Sequence, residues 1–471
     1  IKYNRKLEKI SYMTTMHVVV IVLGDLGRSP RMQYHTLSLL QEGYHVTLVG
    51  YEGEELIPSL DLSNFPDTFE LVRFPNSAPE YLRSILPLYF AFRLVSLIIR
   101  LIKALCFRVR KPVDCVLIQN PPAIPLLLAS YLYCLWISFF SSFSLSYSRR
   151  KRPKLVVDWH NLGFTMFRPG KIRSLAQLYE TSLAPWVADG NLCVTQAMRD
   201  YLRDTFHIRK PIAVLYDAPP SIFQPRSIEE RHIFLQRLEA MLPKDTHFSS
   251  HNSPSTTLLT TEKEEEGKDG KCIKISPRKF RPFLITSSTS WTEDEDFGIL
   301  LDALVILDQQ LDMRRVVVLV TGKGPMKEFY ELKISKLRLS SVSIHTLWLS
   351  PSDYPMLLAC ADVGVSLHKS TSGLDLPMKI LDLYGCGTPV CALDFACIHE
   401  LVQDQINGRL FRTPEELAEQ LLHFCQSFPE LAEPHSFGVL ATYSSNLKGR
   451  ARWSENWKSC ALPLILQLQQ S

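Results

Sequence analysis

The residues best suited to chemistry lie at positions 370–392, in the run STSGLDLPMKILDLYGCGTPVCA. A small polar loop containing Ser372 and Gly373 leads into a helical stretch that carries Lys379 and Asp382 three residues apart, hence on one face. A helix that starts behind such a loop turns unpaired N–H groups toward whatever binds there, which favours anions. An ammonium for phosphate and a carboxylate for a ribose diol are the pairing a nucleotide-sugar site needs. On this stretch alone, a capped surface helix with an ordinary Lys379–Asp382 ion pair accounts for the same residues.

Three other places carry usable chemistry. The run GDLGRSPR at 24–31 offers Gly24 and Gly27 for close backbone approach, Arg28 and Arg31 for phosphate, and Asp25 as a carboxylate. It has neither the Walker A spacing nor the third glycine of a dinucleotide fingerprint, and a tight turn with solvated arginines is the plainer reading. The run DWHN at 158–161 puts Asp158 and His160 together, and Lys323 stands between two glycines in TGKGP. His160 could be a structural histidine and Lys323 an exposed turn residue.

Elements to position these residues are legible on either side of them. The apolar run 18–23, the helical pattern to Gln41 and the apolar run 46–49 read as strand, turn, helix, strand, the opening of a parallel α/β sheet. Short strands at 113–119, 155–158, 192–195 and 212–215 continue it, and 283–290 begins a second series with strands at 316–320, 344–347 and 362–367. Asp25, His160, Lys323 and the 370–392 run all follow strands, and in open α/β sheets ligands bind at strand carboxyl ends. The expected domains are 1–225, a first Rossmann-like domain facing the acceptor and the membrane; 226–280, a charged helix followed by a disordered insertion; 281–445, a second Rossmann-like domain for the nucleotide sugar; and 446–471, an amphipathic tail. Residues 243–279, with Ser/Thr runs and EKEEEGKDGK, show no periodicity and too little apolar content for a core.

Composition bounds the rest. A chain of 471 residues holds two or three domains, and a net charge of +4 gives no argument for nucleic acid. Eleven cysteines without a CxxC pair exclude a zinc knuckle and argue against a disulfide framework, and no N-x-S/T acceptor occurs, in keeping with a cytosol-facing location. The segment 81–110 is apolar with six interspersed bases, and 123–148 carries no charge at all. The second is long enough to span a bilayer, but its serines and its place between two strands favour a crossover helix dipping into the membrane surface, with the basic run 149–154 beside it. The sequence starts at Ile1 with a polar, basic stretch, and a membrane anchor is expected upstream.

Two α/β halves with Gly-rich strand exits describe the GT-B layout of glycosyltransferases, two Rossmann-like domains facing a cleft. The blocks GDLGRSPRMQYH, QNPP, DWHN, LCVT followed by AMR, SSTSWTEDEDF, TGKGP and SGLDLPMK go further and resemble the eukaryotic chitobiosyldiphosphodolichol β-mannosyltransferases over residues 24–410. The resemblance implies GDP-mannose as donor, dolichol-diphosphate-linked chitobiose as acceptor, a β-1,4 bond formed with inversion, the cytosolic face of the endoplasmic reticulum membrane, and other mannosyltransferases of the pathway as partners. The chain departs from the family at 131–152, longer and richer in serine than expected, whereas Asp382, where many relatives have Glu, keeps the carboxylate.

An inverting transfer needs a base for the acceptor hydroxyl. Asp25 is favoured slightly over His160, with Asp158 as a structural partner. Lys323 and Lys379 are expected to support the leaving diphosphate and Asp382 to hold the ribose. No paired-Asp loop is evident, so neither metal nor cofactor is expected. A GT-B transferase with another donor or linkage, and a catalytically inactive GT-B scaffold of the mannosyltransferase complex, remain as alternatives.

Overall fold

The computed structural model describes residues 16–75, 86–109, 111–141, 151–242, 255–267, 270–293, 295–312, 315–429, 433–434 and 437–470. The stretch 1–15, the serine-rich segment 142–148, Arg149, Arg150, Asp294 and residues 243–254 of the expected insertion lie outside them. Two compact units divide the chain: Ile1–Tyr216 with Trp453–Ser471, and Asp217–Arg452.

In the first unit, β1 (His17–Asp25), β2 (His45–Tyr51), β3 (Phe69–Phe74), β4 (Cys115–Asn120), β5 (Lys154–Trp159), β6 (Gly190–Cys193) and β7 (Ile212–Val214) form a parallel sheet in the order β3-β2-β1-β4-β5-β6-β7. The apolar run at 18–23 is its central strand, with every side chain from Val18 to Val22 at most 1% exposed. A strand covered by helices on both faces has no polar side to show. Helix α1 (Pro30–Gln41) starts where Pro30 takes the first helical position, at no cost in hydrogen bonding. The chain order reverses between β1 and β4, so Asp25 and Asn120 end the two strands that flank the switch point.

Helices α2 (Leu86–Lys103) and α3 (Leu126–Ser141) are apolar on two sides. Leu101, Leu126, Leu127 and Cys134 are fully buried, while Ile99, Ile102, Leu132, Phe139 and Phe140 are each about half exposed and Phe107, just past α2, is 78% exposed. The Tyr133 hydroxyl donates to the Leu105 carbonyl at 3.2 Å and ties the pair together. Next to α3 packs α4 (Lys171–Val187), which also turns Ile172, Leu175, Leu178 and Trp186 outward. Among the described residues no helix is long and apolar enough to cross a membrane. Helix α5 (Gln196–Asp204) is capped by the Thr195 hydroxyl, which accepts from Met198 N–H at 2.9 Å.

The helix Trp453–Gln470, expected as a separate tail, belongs to the first unit. Trp457 Nε1 donates to His35 Nδ1 at 2.9 Å, and Trp453 Nε1 reaches Ser38 Oγ at 3.0 Å. These buried indoles are what its amphipathic pattern serves.

The second unit opens with α6 (Ile228–Met241), held at its start by the Ser227/Glu230 capping box. Where the sequence predicted a disordered insertion, an antiparallel hairpin follows: β8 (Thr260–Gly267) and β9 (Gly270–Pro277). Its strands need little core of their own. Leu258 and Leu259 bury beside Phe234, Leu235 and Leu238 of α6, and His232 bonds both Thr260 Oγ1 (2.8 Å) and Glu262 Oε1 (3.0 Å).

The main sheet contains β10 (Phe283–Ser288), β11 (Val316–Thr321), β12 (Val342–Leu347), β13 (Val363–Ser366), β14 (Val390–Leu393) and β15 (Gly408–Phe411), all parallel, in the order β12-β11-β10-β13-β14-β15. Successive residues feed opposite faces. Ile285, Val318 and Val320 join one core with α7 (Phe297–Gln310) and α11 (Pro414–Gln426), and Leu284, Val317 and Leu319 join another with α6 and α9 (Tyr354–Cys360). Helices α8 (Lys327–Lys336), α10 (Met378–Gly385) and α12 (Gly438–Leu447) complete the unit. Its switch point lies between β10 and β13.

Candidate active site

In the second unit, side chains from three separate segments converge at that switch point. The exit of β10 supplies Thr289, Ser290 and Glu295; the exit of β13 supplies His368, Ser370, Ser372 and Asp375; the first turn of α10 supplies Lys379. Glu295, only 3% exposed, is the centre. One carboxylate oxygen, Oε2, accepts from Thr289 Oγ1 (3.0 Å), Ser290 N–H (2.6 Å) and Ser290 Oγ (2.8 Å). The other, Oε1, accepts from Lys379 Nζ and lies 3.5 Å from His368 Nδ1. On its far side His368 Nε2 stands 3.9 Å from Asp375 Oδ2.

Burial by itself would raise the Glu295 carboxyl, but the hydrogen bond from His368 and the Lys379 ammonium outweigh it and hold the group far below the usual carboxylate range. Burial likewise works against a charge on His368, yet Asp375 and Glu295 push its imidazole up to about 9. The cluster therefore sets two basic side chains, Lys379 and His368, against two acidic ones, Glu295 and Asp375.

The loop before α10 is built around Asp375. The Ser370 hydroxyl donates to it, Ser372 Oγ lies 3.3 Å away, and Gly373 N–H donates to Ser370 Oγ at 2.9 Å. Gly373 has φ +73°, a left-handed conformation natural to glycine. Ser372 and Gly373 thus shape the loop.

The Lys379–Asp382 ion pair of the plainer reading does not form, because Lys379 turns to Glu295. The Asp382 carboxyl, on a half-buried residue, has no hydrogen-bond or ion-pair partner among the described residues, and burial pushes it up to about 7. Lys323 is exposed, with Nζ 4.0 Å from the centroid of the Trp348 ring, and is not a partner of Glu295. Its flanking glycines answer to packing: a Cβ on Gly322 or Gly324 would lie 1.7 Å from the carbonyl oxygen of Thr289 or Ser290.

In the first unit, Asp158 is a fully buried hub at the end of β5. It accepts from Arg31 through both oxygens (2.8 and 2.9 Å), from His160 Nε2 (2.8 Å) and from His35 Nε2 (3.1 Å). Burial opposes its charge, but Arg31, His160 and His35 together hold the carboxyl well below the ordinary range. The expected phosphate role of Arg31 does not fit this geometry. The residue is 4% exposed, and its guanidinium is committed to Asp158 and to the Leu215 carbonyl at 2.9 Å.

Arg28 is exposed and bonded to Glu54 at 2.6 Å. Asp25 clips a loop: its carboxylate accepts from Gly27 N–H (3.0 Å) and Glu54 N–H (3.1 Å). Gly27 is needed because a Cβ there would meet the Glu54 backbone at 2.6 Å, whereas Gly24 has ordinary room. His160 differs from all of these. Its Nε2 is engaged by Asp158, and its side chain is 22% exposed. An oriented, partly exposed imidazole backed by a buried carboxylate can take a proton from a hydroxyl.

Sequence reasoning passed over Glu295, His368 and Asp375. Glu295 lies in an acidic run that reads as helix capping, but Asp296 does that work, accepting from Gly298 N–H at 2.9 Å. His368 sits two residues past a strand, the same signal that singled out His160.

Two doubly wound parallel sheets of seven and six strands are the frame of a GT-B glycosyltransferase. Solved structures agree on that fold: a glycosyltransferase from Rickettsia africae (TM-score 0.59, 14% identity, 97% of this chain and 100% of that one) and Anabaena HepE in complex with UDP (TM-score 0.56, 15% identity, 97% and 99%). Residues 281–427 match the family described as glycosyl transferases group 1. The chain is 40% identical to the UDP-glycosyltransferase TURAN of Arabidopsis thaliana over 95% of its length and 97% of the relative's. It is 37% identical to the chitobiosyldiphosphodolichol beta-mannosyltransferase of Homo sapiens over 96% and 92%. The chain therefore belongs to the group 1 GT-B glycosyltransferases, in the family that holds TURAN and the chitobiosyldiphosphodolichol beta-mannosyltransferases.

Proposed function

We propose that this glycosyltransferase moves mannose from GDP-mannose to dolichol-diphosphate-linked chitobiose, forming a β-1,4 bond with inversion, at the cytosolic face of the endoplasmic reticulum. The observation that carries the reading is the full-length similarity to the human enzyme of that name, 37% over 96% of the chain. The donor is held in the second unit. Lys379, with Lys323 as the second cation, supports the diphosphate, and the open Asp382 carboxyl accepts from the ribose hydroxyls. In the first unit His160 is the base, in preference to Asp25, whose oxygens are spent on backbone N–H groups. His160 Nδ1 removes the proton of the acceptor hydroxyl, the oxygen attacks the anomeric carbon, and the bond to GDP breaks with the electron pair leaving on the diphosphate. Fixed cations stabilise that developing charge without reorganising. Ser372 and Gly373 keep the donor loop in shape. The outward apolar faces of α2, α3 and α4 rest on the membrane that carries the lipid acceptor.

A second reading, a UDP-sugar donor, is favoured by the name of the TURAN relative at 40% identity. Purified chain, given a lipid-diphosphate chitobiose and a panel of labelled GDP-mannose, UDP-glucose and UDP-GlcNAc, should label the lipid from GDP-mannose alone. Transfer from a UDP-sugar would establish the second reading, and nucleotide binding without any transfer would point to an inactive scaffold.

A further inference from the structure

The proposed donor role gives Lys379 a task but leaves unexplained why its ammonium meets a buried carboxylate. A carboxylate beside a diphosphate site is on its own unfavourable, since it repels the ligand. Glu295 is nevertheless fixed by three hydrogen bonds to Oε2, two of them from Ser290. That leaves Oε1 to both Lys379 and His368. The two cations keep 30% and 24% of their side chains exposed, while Glu295 keeps 3%, so the acid is covered and the bases remain reachable. They come from different segments, the exit of β13 and the start of α10, and the acid from a third, the exit of β10. No local sequence spacing places Lys379 beside His368; a shared partner does.

We propose that Glu295 is a positioning residue of the donor site: it draws Lys379 and His368 onto one carboxylate oxygen and so presents a pair of cations to the donor diphosphate. Asp375 Oδ2 lies 3.9 Å from the other imidazole nitrogen, and its own bonds to Ser370 and Ser372 place it on the loop containing Gly373. His368 becomes a diphosphate-binding residue beside Lys379. The inference rests on the donor reading above in requiring a nucleoside diphosphate, though not in requiring guanine.

The test is the contribution of the second phosphate to affinity, measured by calorimetry with GDP against GMP and UDP against UMP on the full chain. In the wild type the diphosphate of the preferred base should bind more tightly than the monophosphate. Glu295→Gln keeps an acceptor for Thr289 and Ser290 but removes the charge, and should shrink the diphosphate-to-monophosphate ratio about tenfold while leaving the monophosphate affinity within about threefold. General damage to the unit would weaken both ligands together. An unchanged or larger ratio in Glu295→Gln would overturn the proposal, because the acid would then merely oppose the ligand. Should Glu295→Gln not fold, His368→Asn decides: the ratio falls if His368 binds the diphosphate, and an unaltered ratio rejects it. If UDP binds in place of GDP and its ratio collapses in Glu295→Gln, the GDP-mannose reading fails and this inference stands. If the wild type binds neither diphosphate, both fail.

Discussion

Arg31 and Asp158 meet through two parallel hydrogen bonds, 2.8 and 2.9 Å long, with both side chains at most 5% exposed. The pair joins α1 to the end of β5 across 127 residues of sequence. It also sets the acid that orients His160, so the stability of the first unit and the proposed base depend on one carboxylate.

Asp158→Asn leaves a buried guanidinium without a counter-charge. Removing one partner of a buried pair costs about 3–5 kcal/mol. Chemical denaturation should show that loss in the transition of the first unit, and the loss should be much smaller in Asp25→Asn, whose carboxylate is only half-buried. Equal effects of the two would contradict the hub.

The proposed base separates from its competitor by kinetics. His160→Ala should lower kcat by about two to four orders of magnitude with little change in the donor KM. Asp25→Asn retains an oxygen to accept from Gly27 and Glu54, and should keep kcat within about tenfold. The reverse order would restore Asp25 as base.

Asp382 gives a pH-dependent signature. Its folded carboxyl is pushed up to about 7 from 3.8, so the folded state keeps a proton that the unfolded chain gives up sooner. The contribution of this group to stability therefore falls as pH rises from about 4 to 7. Asp382→Asn should match the wild type in Tm at pH 4 and exceed it at pH 8, while losing donor affinity. A constant difference across that range would dissociate the carboxyl from the effect.

The apolar outer face is open to a vesicle test. The triple change Leu132→Ser, Phe139→Ser and Phe140→Ser removes surface on the side of α3 opposite its buried residues. At about 1.5–3 kcal/mol for each large apolar side chain fully buried, even partial insertion should weaken flotation with anionic vesicles at least tenfold. Unaltered flotation, with the Tm also unaltered, would remove the membrane role from this face.

The fold was readable because parallel strands buried on both faces, such as β1 and β11, are unbroken apolar runs with Gly-containing exits. The hairpin β8–β9 was not, because its apolar support comes from Leu258, Leu259 and α6 while its own strands are charged. Lys379 and Asp382 stood out as candidate site residues from their helical spacing, but the partner of Lys379 did not. The partner of Lys379 is Glu295, 84 residues away, and nothing local distinguishes an acid that caps a helix from one that turns inward. Arg31 looked like a phosphate ligand for the same reason: only the packed unit reveals that Asp158 and Leu215 already use its guanidinium.

The helix Trp453–Gln470 has a bearing on how the protein is made. Its indoles fill places beside His35 and Ser38, more than four hundred residues earlier. On a ribosome, residues 217–452 emerge as one continuous stretch and can fold as they appear. The first unit, although begun earlier, waits for residues 453–470 before His35 and Ser38 are covered. The unit synthesised first is therefore the one completed last.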